Sequence, residues 1–156
     1  LAIGADDAIR VNAEAIDGFM VAKELSDVVK NGGFNLVLAG KESIDYNGGM
    51  VPGMIAGLLG FNFINSCVAL TIEGNSVTAS REIDGGKEIV NSQLPLIIGG
   101  QKGLVEEKDL RIPKMRGIMT ARTKVLTIIE PVGGESKTAT VKLAATVSSK
   151  GVASCI

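Results

Sequence analysis

Leu36-Val37-Leu38-Ala39-Gly40, then Lys41-Glu42-Ser43-Ile44-Asp45-Tyr46-Asn47-Gly48-Gly49-Met50-Val51-Pro52-Gly53, then Met54-Ile55-Ala56-Gly57-Leu58-Leu59-Gly60 is the stretch that decides the fold. An apolar run ends in glycine, a polar glycine-rich loop follows, and a small-residue apolar helix comes next. This is the strand–loop–helix unit of an open α/β sheet, in which ligands bind at the carboxyl ends of the strands. Backbone N–H groups gathered at a helix start suit an anion, typically a phosphate.

Outward from that unit, earlier residues supply more of the same kind. Ala8 to Val11 reads as a short strand. Asn12 is the expected cap of a helix over Ala13–Lys30, with Ala15, Phe19, Ala22, Leu25 and Val29 on one face. Asn31-Gly32-Gly33 stops it, and Phe34–Leu38 is the next strand. Strand, helix and strand in this order predict a right-handed parallel crossover. Leu1 to Asp6 reads as a helix end with Gly4 as its C-cap. That reading, and the absence of a stop signal over Ser148–Ile156, point to one domain over residues 1–156 that is incomplete at both ends.

From Ser66 the period changes to two. Val68, Leu70 and Ile72 alternate with smaller or polar residues, Glu73–Ser76 forms a hairpin turn, and Val77–Ile83 returns. Asp84-Gly85-Gly86 turns again, before strand material at Lys87–Val90 and Leu94–Ile98. Gly99–Arg122 is a long excursion ending in a short helix-like run. Such excursions are usually functional. Val125–Ile129 is a strand, and Thr138–Ala144 alternates once more.

The composition excludes several kinds of chemistry. The 156 residues include no histidine, which removes histidine-based triads, histidine metal sites and imidazole acid–base catalysis. The formal charge is −1 and aromatics are 3%, so neither a nucleic-acid surface nor a base-stacking platform is expected. Cys67 and Cys155 lie far apart and read as idle thiols of a reducing compartment. No apolar run reaches the ~18 residues of a membrane span, so no membrane insertion is expected. No acid–base pair, nucleophile or metal cluster stands out.

Arg81-Glu82-Ile83-Asp84-Gly85-Gly86-Lys87-Glu88-Ile89-Val90, four residues, then Pro95-Leu96-Ile97-Ile98 is more particular. It resembles the signature of the electron transfer flavoprotein β subunit, matched by Arg81, Asp84, Gly85, Gly86, Glu88, Val90, Pro95, Ile97 and Ile98. Gly99 departs, since a small non-glycine residue is usual there. Leu1–Val11, Asn35–Asp45 and Arg116–Arg122 are similar to the family's helix end and strand, its nucleotide-loop entry and its Asn-Ile-Met-Lys-Ala-Lys helix. The order is collinear over nearly the whole chain.

The resemblance implies an α/β fold: a parallel open sheet of adenine-nucleotide-hydrolase-like type with an antiparallel extension. It implies the β subunit of a heterodimer, without catalytic residues of its own. That heterodimer carries electrons from flavin dehydrogenases to a quinone oxidoreductase or another acceptor. FAD would sit mainly on the α subunit, with AMP or a second FAD on this one, in a bacterial cytoplasm.

Carried over residue by residue, the nucleotide loop is Gly40, Lys41, Glu42, Ser43, Ile44, Asp45, Tyr46, Asn47, Gly48, Gly49, Met50 and Val51. Beyond Asp45 the side-chain hydroxyl and amide usual in the family are missing, which leaves backbone donors. Glu82 resembles an acid that faces an arginine of the α subunit near the flavin. Gly99–Arg122 resembles the loop that docks on donor dehydrogenases, with Leu104, Ile112 and Met115 as its candidate apolar residues and Ile112 or Met115 as the anchor. Lys102, Lys108, Arg111, Lys114 and Arg116 would steer acidic partners. The alternatives are a stand-alone adenine-nucleotide-binding module similar to universal stress proteins, and an enzyme of the adenine-nucleotide hydrolase-like superfold.

Overall fold

The computed structural model describes residues 1–141 apart from Tyr46, Gly134 and Thr140. Its strands are β1 (Ala8–Val11), β2 (Leu36–Gly40), β3 (Asn62–Glu73), β4 (Ser76–Ile83), β5 (Gly86–Gln93), β6 (Leu96–Gly100) and β7 (Leu126–Ile129). The helices are α1 (Gly18–Asn31), α2 (Val51–Leu59) and α3 (Met115–Ala121). A 3-10 turn at Glu107–Asp109 lies in the long excursion.

The main sheet runs β2-β6-β3-β4-β5. β2 and β6 are parallel, as are β6 and the first part of β3, whereas β3, β4 and β5 form an antiparallel meander. The fold is therefore the expected one: α/β, an open sheet with a parallel core and an antiparallel extension. β6 is central, and Leu96, Ile97 and Ile98 are wholly buried. A strand covered on both faces needs such a run of apolar residues. Alternate side chains point to opposite faces. Leu96 and Ile98 join Ile64, Cys67, Val77 and Ala79 in one core cluster, while Ile97 joins Ala22, Ile55 and Ala56 under the helices in the other.

The expected β1–α1–β2 crossover within one sheet is not formed. β1 pairs in parallel with β7, apart from the five-stranded sheet, and β2 pairs with β6. Strand pairing is a non-local choice, and neither partner is adjacent in sequence.

The start of α1 also differs from expectation. Asp17, not Asn12, is the cap, accepting the Met20 N–H at 2.8 Å. Asn12 continues the β1–β7 pairing instead, its N–H donating to the Ile129 carbonyl at 2.9 Å. Ala15 therefore precedes the helix and Leu25 stays exposed. The buried positions are Ala22, Glu24, Ser26 and Val29. The Ser26 hydroxyl is satisfied within the helix by the Ala22 carbonyl at 2.6 Å.

Glu24 is buried because the chain after β7 folds over it. Its carboxylate accepts the Val132 and Gly133 N–H groups at 2.9 and 3.1 Å. At the cap of the same helix, Asp17 does the same for the residues that follow. It accepts the Ser136 hydroxyl at 2.7 Å and the N–H groups of Lys137 and Thr138 at 2.6 and 3.0 Å. These hydrogen bonds, led by that of Met20, hold the Asp17 carboxyl far below the usual carboxylate range. A carboxylate whose folded pKa is depressed stabilises the fold above its unfolded pKa, and that contribution fades as pH falls through the acid range. Asp17→Asn keeps a capping side chain but loses the charge. It should melt below the unmodified protein at pH 7, with the gap narrowing toward pH 3 in thermal scans.

Other expectations hold. Gly60 ends α2 with φ 69°, a left-handed cap where only glycine is free of Cβ strain. The hairpin strands fall within a few residues of their sequence reading, and the cis bond before Pro95 lies just ahead of β6. β3 begins at Asn62, earlier than the alternation suggests, and is broken after Ile64 by a bulge with Ser66 at φ 56°. Of the alternating run Thr138–Ala144, the described residues form no strand, and Thr140 and 142–144 lie outside them.

The bulge explains Gly99. A Cβ at that position would sit 2.2 Å from the Asn65 carboxamide oxygen. Gly99→Ala should cost ~1 kcal/mol through overpacking. Removing the obstacle first, with Asn65→Ala, should erase most of that cost in a double-mutant cycle of melting experiments.

Candidate nucleotide loop and partner-facing edge

The carboxyl ends of β2 and β6 meet the first half of β3 at one edge of the sheet. Ladder register places Gly40 beside Gly100, Gly100 beside Cys67, Cys67 beside Arg81, and Arg81 beside Glu88. One lateral row thus joins the start of the glycine-rich loop to the Arg-Glu-Ile-Asp-Gly-Gly-Lys-Glu stretch, about 19 Å away at the usual strand spacing. In that row Arg81 Nε donates to Glu88 Oε2 at 2.6 Å, a half-exposed cross-strand ion pair. Cys67 is buried, its thiol facing the Ala69 carbonyl at 3.2 Å, and burial pushes its pKa up. That suits an inert core thiol, as expected. Cys155 lies outside the described residues.

The loop leaves the sheet at Gly40. The Lys41 N–H donates to the Gly100 carbonyl at 2.9 Å, extending the ladder by one bond. Ser43 then closes the loop: its N–H donates to the Gly48 carbonyl at 3.1 Å, and its Oγ accepts the Gly48 N–H at 3.3 Å. Asn47 takes φ 50°, a conformation asparagine tolerates. A Cβ at Gly49 would lie 3.3 Å from the Lys41 carbonyl, so the two arms approach closely. Glu42, Ser43, Ile44, Asp45, Asn47, Gly49 and Met50 are exposed, Ile44 at 98%. Tyr46 lies outside the described residues.

The loop ends at Met50, whose side chain does not cap α2. The first N–H groups of a helix have no partner within it. Pro52, in the first turn, contributes none. Val51 and Gly53 do, at an end where the helix dipole favours negative charge. Val51 also packs on the cluster around Ile55 and Ala56, which fixes the helix against the sheet. An uncapped helix start behind a closely folded glycine loop fits a phosphate held by backbone donors.

Two carboxamides that the sequence did not single out lie at this edge. Asn65 sits at the bulge, against Gly99. Gln101 follows β6, and its N–H donates to the Cys67 carbonyl at 2.9 Å. Its side-chain Nε2 donates to the Glu82 carboxylate. Glu82 is exposed at the end of β4. Nothing local in the sequence marks either amide. Asn65 owes its place to a bulge, and Gln101 meets Glu82 across a separation of 19 residues.

The docking-loop residues separate into two kinds. Ile112 and Met115 are 80% and 73% exposed. Leu104 instead packs against the core cluster of Ile98 and Cys67, its N–H bonded to the Gln101 carbonyl. A cleft of about 830 Å³ separates this excursion from Leu1–Gly4, with Arg111, Lys114, Arg116 and Lys124 around it. Among the described residues no group of three metal-ligating side chains occurs, and no helix is long and apolar enough to cross a membrane.

The model of the electron transfer flavoprotein domain matches residues 1–132. The chain belongs to the electron transfer flavoprotein family. Its similar curated proteins carry the name electron transfer flavoprotein subunit beta. The one from Syntrophomonas wolfei is 34% identical over 138 residues, which is 88% of this chain and 54% of that protein. The Bacillus subtilis protein is 34% identical over 134 residues, 83% of this chain and 51% of that protein. The human protein is 32% identical over 136 residues, 84% of this chain and 52% of that protein. The chain spans about half the length of these relatives. As an electron transfer flavoprotein domain of the β type, it has the adenine-nucleotide-hydrolase-like fold that its sheet displays.

Proposed function

We propose that this chain works as the β-subunit part of a heterodimeric electron transfer flavoprotein. The heterodimer takes electrons from flavin dehydrogenases and passes them to a quinone oxidoreductase or another acceptor, in a bacterial cytoplasm. Residues 1–156 act as one domain whose task is to position, not to catalyse. FAD, held mainly by the α subunit, supplies the redox chemistry. AMP, or a second FAD, occupies Gly40–Val51 with its phosphate on the backbone N–H groups at the start of α2.

The observation that carries this reading is the lateral row from Gly40 to Glu88. It runs across the sheet from the loop suited to a phosphate, off β2, to the stretch on β4 and β5 that resembles the β-subunit signature. A subunit that holds a nucleotide while meeting a partner's flavin needs both. Glu82, exposed beside Arg81, faces the α subunit. Ile112 and Met115, exposed on the excursion, meet the donor dehydrogenase, while Leu104 braces the start of that excursion on the core.

The experiment is reconstitution with the α subunit followed by reduction with a flavin dehydrogenase and its substrate. Bleaching of the flavin, and its recovery on adding an acceptor, is the expected result. A chain that binds adenine nucleotide but yields no reducible flavin complex is the stress-protein-like module instead.

A further inference from the structure

Glu82 is an exposed acid whose surroundings are unusual in one respect. Its strand neighbour Arg81 is occupied by Glu88 at 2.6 Å, and among the described residues no cation lies within ion-pair distance of Glu82, not even Lys87, its ladder partner on β5. What holds it is a neutral amide, the Nε2 of Gln101. Gln101 is itself fixed at both ends. Its N–H continues the β6 ladder onto the carbonyl of the wholly buried Cys67, and Leu104 closes a turn onto its carbonyl. Its side chain is half-buried, and its Oε1 is shielded from solvent.

A free surface glutamate loses side-chain freedom when it enters an ion pair, which weakens the pair. A hydrogen bond from a fixed donor removes that freedom before binding. The donor's chemistry matters. A lysine or arginine at position 101 would fix the carboxylate but cancel its charge. An amide fixes it without cancelling its charge, and Lys87 across the ladder does not pair with it, so an outside cation can.

We infer that Gln101 is a positioning residue, which presents the Glu82 carboxylate to a guanidinium or ammonium group of the partner subunit. This rests on the reading of Glu82 as facing the α subunit. In this role Gln101 acts through Glu82.

A double-mutant cycle in the heterodimer tests it, using the dissociation constant for the FAD-bearing α subunit. Glu82→Gln should weaken association about thirtyfold, the scale of a truncated interfacial charge pair. Gln101→Leu should weaken it about fivefold in the unmodified background and not at all in the Glu82→Gln background. Gln101→Glu keeps the side chain's shape, and also serves if the leucine variant does not fold. Two adjacent carboxylates disfavour joint ionisation. Association of that variant should therefore be weak at about pH 8 and recover toward about pH 5, a response a merely structural role would not give.

Equal losses from Gln101→Leu in both backgrounds would overturn the inference, because Gln101 would then act elsewhere. A silent Gln101→Leu with a damaging Glu82→Gln would overturn it too, while leaving the interface reading of Glu82 intact. A silent Glu82→Gln removes that reading, and the inference with it.

Discussion

Met115→Ala, made in the proposed heterodimer, should raise the apparent KM of the donor dehydrogenase for the complex about thirtyfold. The melting temperature and the flavin spectrum should stay where they are. The size follows from hot-spot behaviour: an apolar anchor buried in a partner's pocket costs ~2 kcal/mol or more when truncated. The invariance follows from geometry. Met115 is 73% exposed at the start of a seven-residue helix that buries none of its side chains. Substitutions at such positions move stability by within about ±0.5 kcal/mol. Ile112, still more exposed, is the second candidate and behaves the same way if the anchor is shared. Stopped-flow or steady-state reduction of the complex by its donor measures the effect. A drop of several degrees in melting temperature with unchanged donor kinetics would place these residues in packing and not in docking.

Ile98→Ala gives the opposite pattern. Ile98 is fully buried in the central strand and packs with Ile64, Cys67, Val77 and Ala79. Cutting a buried isoleucine to alanine costs ~2–5 kcal/mol in lost transfer energy and cavity formation. A loss near 3 kcal/mol lowers the melting temperature of a domain this size by about 6–12 °C. Ile98 lies two residues before Gly100, the neighbour of Gly40 in the sheet, so if Gly40–Val51 holds a phosphate as proposed, that binding should weaken as well. Calorimetric scans with and without AMP separate the two effects. A wild-type melting temperature for Ile98→Ala would contradict the assignment of the core.

Much of this architecture was legible in the residues. The hairpin of β4 and β5 is written in alternation and in Asp84-Gly85-Gly86, and α2 ends where Gly60 says it must, because local conformation decided both. The family was legible as well, from a stretch whose residues fall on one strand pair and the central strand β6. What was not legible depended on distant partners. Asp17 caps α1 in place of Asn12 because it also collects donors from Ser136, Lys137 and Thr138, some 120 residues away. The β1–β7 pairing is equally remote. Glu24 looks like a solvated helix residue until residues 132–133 cover it. In the site, the glycine pattern revealed the loop, whereas Gln101 sits in a Gly-Gly-Gln-Lys-Gly run that reads as filler. Leu104 looked like its exposed neighbours and is held to the core.

Partnership is the centre of the account, and co-purification tests it most directly. The protein is expressed together with its α subunit, only the α subunit is tagged, and the eluate is analysed for stoichiometry, visible absorbance and bound nucleotide. The account predicts an equimolar, yellow complex that carries FAD together with an adenine nucleotide, AMP or a second FAD. A colourless, stable protein that stays in the flow-through with no affinity for the α subunit would contradict it.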